Sequence, residues 1–165
     1  MTNETLETIK NRRSCRAYKP EQITNEELDA VLEAGTYAAS AMGRQSAKIV
    51  VVQDAAARAQ LTRMNAAVMG RDTDPMYGAP TILVVLADAH AANAVPDGSL
   101  VMGNLMLAAA LLGLGSCWIN RAKEEFETEE GKSLLRQWGI EGDWVGIGHC
   151  ILGYPAADPK PAAPR

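Results

Sequence analysis

Residues 98–120 carry no charged side chain, and this stretch restricts the possible folds of the chain more than any other feature of the sequence. Its hydropathy is similar to that of a membrane span, but Gly113 and Gly115 predict that the helix ends there. About fifteen helical residues then reach roughly 22 Å, which is short of the ~30 Å hydrocarbon core of a bilayer. Because a helix that is apolar on every side must be covered by protein, we expect a central helix packed against other elements or a second chain, and no membrane partner.

Strand and helix patterns alternate along the rest of the chain. Their length and apolar composition predict buried strands at residues 48–53, 81–86, 116–120 and 144–153. Helical patterns cover residues 5–13, 24–41 and 122–138. Thr24 and Glu27 form a capping box, and Asp54 and Asp97 are the expected N-caps of an Ala-rich helix and of the apolar helix. We therefore expect one domain, residues 1–165, in which helices cover a sheet of the α/β or α+β class.

Composition and charge exclude several classes of protein. Hydrophobic residues make up 47% of the chain and charged residues 22%, which is too apolar for a disordered chain. The net charge of -4 argues against a general nucleic-acid-binding protein, because phosphate neutralisation needs a basic surplus. The polar N-terminus lacks the apolar run of a signal peptide, and the three cysteines form no CxxC pair. We therefore expect a soluble cytoplasmic protein with free thiols.

Basic residues are concentrated near the N-terminus. Five of them fall within ten positions that contain no acidic residue: Lys10, Arg12, Arg13, Arg16 and Lys19. Guanidinium groups together with the Ser14 hydroxyl suit an anion that has several oxygens, such as a phosphate. The same cations are also typical of a helix C-terminus, where they compensate the helix dipole. Composition alone leaves both interpretations open.

The sequence shows no metal site and no catalytic constellation. The two histidines lie far apart, and no Cys, Asp or Glu cluster has ligand spacing. His149 alternates with Ile147 and Ile151, which predicts a hydrogen-bonded core residue. A nucleophile motif, a phosphate-binding loop and a dinucleotide glycine motif are all missing. If the chain is an enzyme, we expect a bound cofactor to supply the reactive group.

Five short motifs occur in the order found in the nitroreductase family of FMN-dependent flavoproteins. Residues 9–18, IKNRRSCRAY, resemble its opening I-x-x-R-R-S-x-R-x-[YF], and residues 38–45, AASAMGRQ, resemble its A-P-S-x-x-N-x-Q turn. Residues 77–80, YGAP, precede a strand as in its G-A-P segment. Residues 104–119 resemble its N-x-x-L-A-A…G-L-G-x-C-W-I, and residues 152–165 its closing G-Y-P…K-P…R. Because these motifs cover nearly the whole chain, the protein resembles a short member of this family.

The resemblance implies an α+β fold, a three-layer α/β/α sandwich around a central, mainly antiparallel sheet. It also implies an intertwined homodimer in which residues 100–112 pack against their mate around a two-fold axis. Tightly bound FMN would lie at the subunit interface, and no side chain would be catalytic. The cofactor-binding residues implied are Arg12, Arg13, Ser14, Arg16, Ser40, Gln45, Ser116, Cys117, Trp118, Lys160 and Arg165.

By the same resemblance, these residues divide into a phosphate group and a ring group. Arg12 and Ser14, with Arg13 beside them, would hold the phosphate, and Arg165 with Lys160 would return to it. In the ring group, Arg16 would lie beside the pyrimidine, the Ser40–Gln45 turn along the ring, and residues 116–120 at its face or N5 edge. Gly43 replaces the usual Asn of the turn, and the short loop at residues 69–79 predicts an open flavin face.

The activity implied is a ping-pong transfer of two electrons from NAD(P)H through flavin N5 to an acceptor such as a nitroaromatic or a quinone. Two alternatives stay open from the residues alone. The first is a flavin-binding redox sensor or carrier with little turnover, which would use the same cofactor-binding residues. The second is a module whose arginines bind another phosphate, such as that of a nucleic acid, against which the acidic net charge counts.

Overall fold

A sheet of four antiparallel strands lies at the centre of the structure, a computed structural model that describes residues 3–158 and 160–161. The strands are β1 (Ala47–Val52), β2 (Thr81–Asp88), β3 (Gly115–Ile119) and β4 (Trp144–Gly153). Their order across the sheet is β1-β2-β4-β3, and each neighbouring pair is antiparallel. All four strands were expected from the sequence to within about two residues, and the antiparallel arrangement confirms the predicted sheet.

Six α-helices surround the sheet in the described part of the chain. They are α1 (Glu4–Asn11), α2 (Asn25–Thr36), α3 (Ala55–Met69), α4 (Ala94–Leu111), α5 (Ala122–Glu127) and α6 (Glu129–Gln137). Two of the three predicted caps are confirmed. Thr24 accepts a hydrogen bond from the Glu27 N–H and completes a capping box with the Glu27 carboxylate, while Asp54 accepts from the Ala57 N–H at 2.9 Å.

The core has two parts, one on each face of the sheet, and side chains of β2 alternate between them. One part joins the sheet to α3, α5 and α6, and its fully buried residues include Leu61, Ile82, Val84 and Ile151. The other joins the sheet to α2 and α4, and includes Val31, Leu83, Val85 and Leu105. The structure is therefore the predicted three-layer α/β/α sandwich.

Two predicted helices have different bounds from those expected. The helix predicted at residues 24–41 ends at Thr36, and a short 3-10 turn, Ala41–Gly43, follows it. The helix predicted at residues 122–138 is divided into α5 and α6 at Thr128, whose ψ of 157° is extended. The Thr128 hydroxyl caps α6 by accepting from the Gly131 N–H at 3.0 Å. A Cβ on Gly131 would overlap the carbonyl oxygen of Glu125, so the two helices meet too closely for any larger residue there.

The apolar helix α4 is longer than expected and begins at a different residue. Its N-cap is Asn93, and the predicted N-cap, Asp97, lies inside the helix. Its 18 residues span about 27 Å, and by length and composition alone the helix could cross a membrane. In the structure its inner side chains pack on α2 and on the sheet, as in the core helix of a soluble protein.

Candidate functional site

A cavity of about 1010 Å³ lies beside α1, the C-terminal end of α4 and the start of β3. The chain segment that follows α1 lines it together with residues near the C-terminal end of the described chain. Six of the predicted cofactor-binding residues line this cavity: Arg12, Arg13, Ser14, Arg16, Ser116 and Lys160. Residues that are far apart in sequence are thus brought together as the resemblance implies.

Pairing with β3 positions the segment that follows α1. Ser14 forms a parallel bridge with Ser116, and the Cys15 N–H donates to the Ser116 carbonyl at 2.8 Å. A Cβ on Gly115 would lie 2.7 Å from the Cys15 Sγ, so this close approach requires glycine. The segment therefore covers the outer edge of β3 and holds its serine and arginine side chains beside the cavity.

Arg12 and Arg13 differ in their hydrogen bonding. Arg13 Nη1 donates to the carbonyl of Lys10 at 2.8 Å and to that of Arg12 at 2.6 Å, so it serves the C-terminal end of α1. Arg12 is half-buried, and no described residue accepts a hydrogen bond from its inaccessible Nη1. The Arg13 Nε also lacks a partner within the described residues. The helix-end interpretation thus holds for Arg13 Nη1, whereas anion binding by Arg12 Nη1 and Arg13 Nε stays a prediction.

Ser116 provides a second buried polar atom at this cavity. Its side chain is only 2% exposed, and its Oγ has no hydrogen-bond partner among the described residues. A buried donor left unsatisfied costs about 1–3 kcal/mol, so such atoms at a cavity need a partner that enters it, such as water, an ion or a ligand. A ligand that carries several acceptor oxygens would satisfy both the Ser116 hydroxyl and the Arg12 guanidinium.

Acidic residues also line this cavity. Glu7 holds the Lys10 ammonium at 2.9 Å, and Glu4 and Asp158 contribute further carboxylates. The cations that line the cavity without such an ion pair within the described residues are those of Arg12, Arg13, Arg16 and Lys160, and Arg13 bonds to backbone carbonyls. Lys160 is exposed, and the remaining predicted phosphate contact, Arg165, lies outside the described residues.

Ser40 and Gln45 lie elsewhere, at a second cavity of about 350 Å³ between α2, β1 and the first turn of α4. A single chain therefore does not bring the two halves of the predicted site together. In the turn, Gly43 has a φ of +64°, the left-handed conformation that Gly adopts freely and Asn tolerates better than most residues. This backbone requirement explains how Gly43 can stand where the family motif has Asn.

Cys117 and Trp118 point to opposite faces of β3. The Cys117 side chain is buried in the core beside α3 and α5, so its thiol is remote from the cavity surface. Trp118 is half-buried on the face beside α4, and its Nε1 lies 2.6 Å from where a Cβ on Gly148 would be. Neither side chain lines the 1010 Å³ cavity, so any contact there falls to the backbone of these residues.

The three thiols differ in burial. Cys15 is half-buried and lines the 1010 Å³ cavity, whereas Cys117 and Cys150 are buried, and all three are free. Burial raises the pKa of the Cys150 thiol to about 12, so this thiol stays protonated at neutral pH. Burial also raises the pKa of Tyr18, whose hydroxyl donates to the Cys15 carbonyl at 2.9 Å. Neither buried group is suited to act as a nucleophile.

A buried polar cluster on the other face of the sheet was only partly expected. His149 is confirmed as a hydrogen-bonded core residue, since its Nε2 lies 3.0 and 3.1 Å from the two carboxylate oxygens of Glu125. Glu125 also accepts from Asn65, and Asn65 accepts from Arg121 Nε at 2.9 Å. The Asn65 amide further donates to the Asn120 carbonyl at 2.8 Å, which holds the end of β3. No local pattern signals this cluster, because Glu125 lies in α5, Asn65 in α3 and Arg121 at the N-cap of α5.

Comparison with known proteins agrees with the motifs. Residues 9–154 match the model of the nitroreductase family. An Archaeoglobus fulgidus protein provisionally named NADH dehydrogenase/NAD(P)H nitroreductase is 34% identical over 157 residues, which cover 92% of this chain and 86% of that protein. A crystal structure of a nitroreductase with bound FMN from Bacteroides fragilis has a TM-score of 0.91 and 32% identity, covering 99% of this chain and 96% of that one.

A second nitroreductase crystallised with FMN, from Desulfitobacterium hafniense, has a TM-score of 0.89 and 26% identity, and it covers 100% of this chain and 96% of that one. The family match extends from the end of α1 to the residue after β4, so it includes the whole sheet and the helices that cover it. The resemblance seen in the motifs is confirmed: this chain belongs to the nitroreductase family.

Proposed function

We propose that this protein is an FMN-dependent oxidoreductase that uses NAD(P)H to reduce an acceptor such as a nitroaromatic or a quinone. The observation that carries the proposal is the pair of buried polar atoms, Arg12 Nη1 and Ser116 Oγ, at one cavity of about 1010 Å³. Related nitroreductases with the same fold were crystallised with FMN. A cofactor phosphate has the acceptor oxygens that these two donors require.

The residues around the cavity bind and orient the cofactor. Arg12, Ser14 and Ser116 supply charged and neutral donors to the phosphate, and Lys160 adds a positive charge at the rim. Arg16 is exposed, and beside the pyrimidine ring its charge would stabilise negative charge on the cofactor. The bound flavin supplies reversible two-electron chemistry in ping-pong order, with NAD(P)H as donor, so no side chain needs to act as a nucleophile.

A second copy of the chain would complete the site. The outer face of α4 is apolar and exposed, with Val95 56% and Leu100 50% accessible, as a helix covered by a partner would be. The Ser40–Gln45 turn lies at a different cavity from Arg12, so within one chain it does not meet the proposed phosphate site. In a two-fold dimer this turn would reach the cofactor held by the partner.

Initial-rate kinetics test the proposed reaction. NADH or NADPH oxidation is followed at several fixed concentrations of a soluble quinone, with free FMN at equal concentration as the control. Ping-pong order predicts parallel lines in a double-reciprocal plot and a rate well above that of free FMN. Converging lines would contradict the ping-pong order. Negligible oxidation by a protein that retains flavin would favour the sensor or carrier instead.

A further inference from the structure

The turn that carries Ser40 and Gln45 is held in an unfavourable backbone conformation. Met42 and Gln45 have φ angles of +56° and +49°, in the left-handed region that costs non-glycine residues free energy. Such conformations persist only where surrounding contacts hold them. Within the turn, the Gln45 N–H donates to Ser40 Oγ at 3.0 Å and the Gly43 N–H to the Ser40 carbonyl at 3.1 Å. These bonds shape the turn but do not attach it to the rest of the fold.

The Asp97 carboxylate attaches the turn to α4 at both of its ends. Asp97 Oδ1 accepts from the Ala41 N–H at 3.0 Å, and Oδ2 accepts from the Ser46 hydroxyl at 3.3 Å. The Ser46 end is also held by the Asp88 N–H, which donates to the Ser46 carbonyl at 2.9 Å. The contact with Ala41 therefore fixes the end nearer to Ser40.

Asp97 is itself rigidly placed. It is 5% exposed and lies in the first turn of α4, where the helix dipole favours a carboxylate. A Cβ on the next residue, Gly98, would overlap Ile147 of β4, so this turn of the helix presses directly on the sheet. Because both carboxylate oxygens are engaged and nearly inaccessible, Asp97 is suited to hold the turn and unsuited to exchange protons with a substrate.

We infer that Asp97 is a positioning residue that sets the shape of the Ser40–Gln45 turn for its contact with the flavin. This inference rests on the proposed function. Among the described residues that line the 350 Å³ cavity, Asp97 is the one buried carboxylate, and the inference gives it a role. Asp97 need not touch the cofactor, since it acts through the turn.

The test compares Asp97→Ala and Asp97→Asn with the matched control Asp54→Ala, which removes a carboxylate from the N-cap of α3. FMN binding to the apoprotein is titrated by quenching of flavin fluorescence, and the visible circular dichroism of the bound flavin is recorded.

Loss of a charged hydrogen bond predicts about tenfold weaker FMN binding and an altered spectrum for Asp97→Ala. Asp97→Asn keeps an acceptor for the Ala41 N–H and should stay within about threefold of the wild type. Asp54→Ala should match the wild type in both readouts.

A second variant, Ser46→Ala, removes only the contact with Asp97 Oδ2. It tests the role of Asp97 if the Asp97→Ala variant does not fold. It should weaken FMN binding about threefold, as the loss of one neutral hydrogen bond predicts. Wild-type affinity and spectrum in Asp97→Ala, or in Ser46→Ala where the former is unfolded, would overturn the inference. An equal loss in Asp54→Ala would also overturn it, because the effect would then follow general stability. A wild-type protein that binds no FMN would overturn the proposed function first, and this inference with it.

Discussion

Arg12 and Arg13 are adjacent in sequence but are used differently by the fold. The Arg13 Nη1 is satisfied by two backbone carbonyls at the end of α1, whereas the Arg12 Nη1 is buried at the cavity without a partner among the described residues. The proposed phosphate role therefore falls mainly on Arg12, and the helix-capping role on Arg13. Charge alone could not divide these roles, whereas the family resemblance placed Arg12 on the phosphate with Arg13 beside it.

Single alanine substitutions should separate the two arginines. Arg12→Ala should cost about 1.5–3 kcal/mol of FMN binding free energy, the range for a hydrogen bond to a charged group. Arg13→Ala, its matched control, should affect FMN binding less but lower the free energy of unfolding by about 0.3–1 kcal/mol, since it removes a cation from a helix end. FMN titration and thermal unfolding of each apoprotein measure both effects. Equal loss of FMN affinity in the two variants would contradict this division.

Residue-scale predictions succeeded where the signal is local. The caps Thr24 and Asp54 bond to groups three residues away, so the sequence contains both partners. Asp97 has the same local pattern, yet its partners are Ala41 and Ser46, and it was wrongly expected to be an N-cap. Glu125 was missed for the same reason, because its partners come from α3 and β4. Contacts between segments that are distant in sequence produce no periodic pattern from which they could be predicted.

At the scale of elements, α4 has an inner apolar face packed in the core and an outer apolar face that is exposed. Its uncharged sequence was enough to predict a central helix, although the N-terminal bound was missed by several residues. The break between α5 and α6 was not expected, since it follows from the close contact of Gly131 with Glu125. Hydrophobic spacing alone does not predict helix boundaries that are determined by such contacts.

A charge on the outer face of α4 should prevent dimer formation. Leu100→Glu places a carboxylate on a half-exposed position, so it should leave the folded chain intact while disfavouring an apolar interface. Met106 is less suitable because it packs against the core. Val68→Glu on α3 makes the same chemical change away from α4 and is the control. Light scattering with flavin absorbance should show a flavin-poor monomer for Leu100→Glu and a flavin-loaded dimer for Val68→Glu. A flavin-loaded Leu100→Glu monomer would contradict the shared site.

At the scale of the whole molecule, the order of the motifs predicted the three-layer fold and the family, because five short patterns together cover most of the chain. The residues of the proposed phosphate site converge on one cavity, while the Ser40–Gln45 turn lies at another. A single chain thus forms part of the predicted site. The backbone of the turn and the orientation of Cys117 depend on packing across the sheet, which the sequence pattern did not contain.

The visible absorption spectrum of the purified protein, recorded with FMN under anaerobic conditions, tests the central claim most directly. A flavin oxidoreductase should show flavin bands that bleach when NADH or NADPH is added and return when a quinone follows. Free FMN at the same concentration is the control. A colourless protein that leaves added FMN unbound, or a yellow protein that neither nucleotide bleaches, would contradict the account.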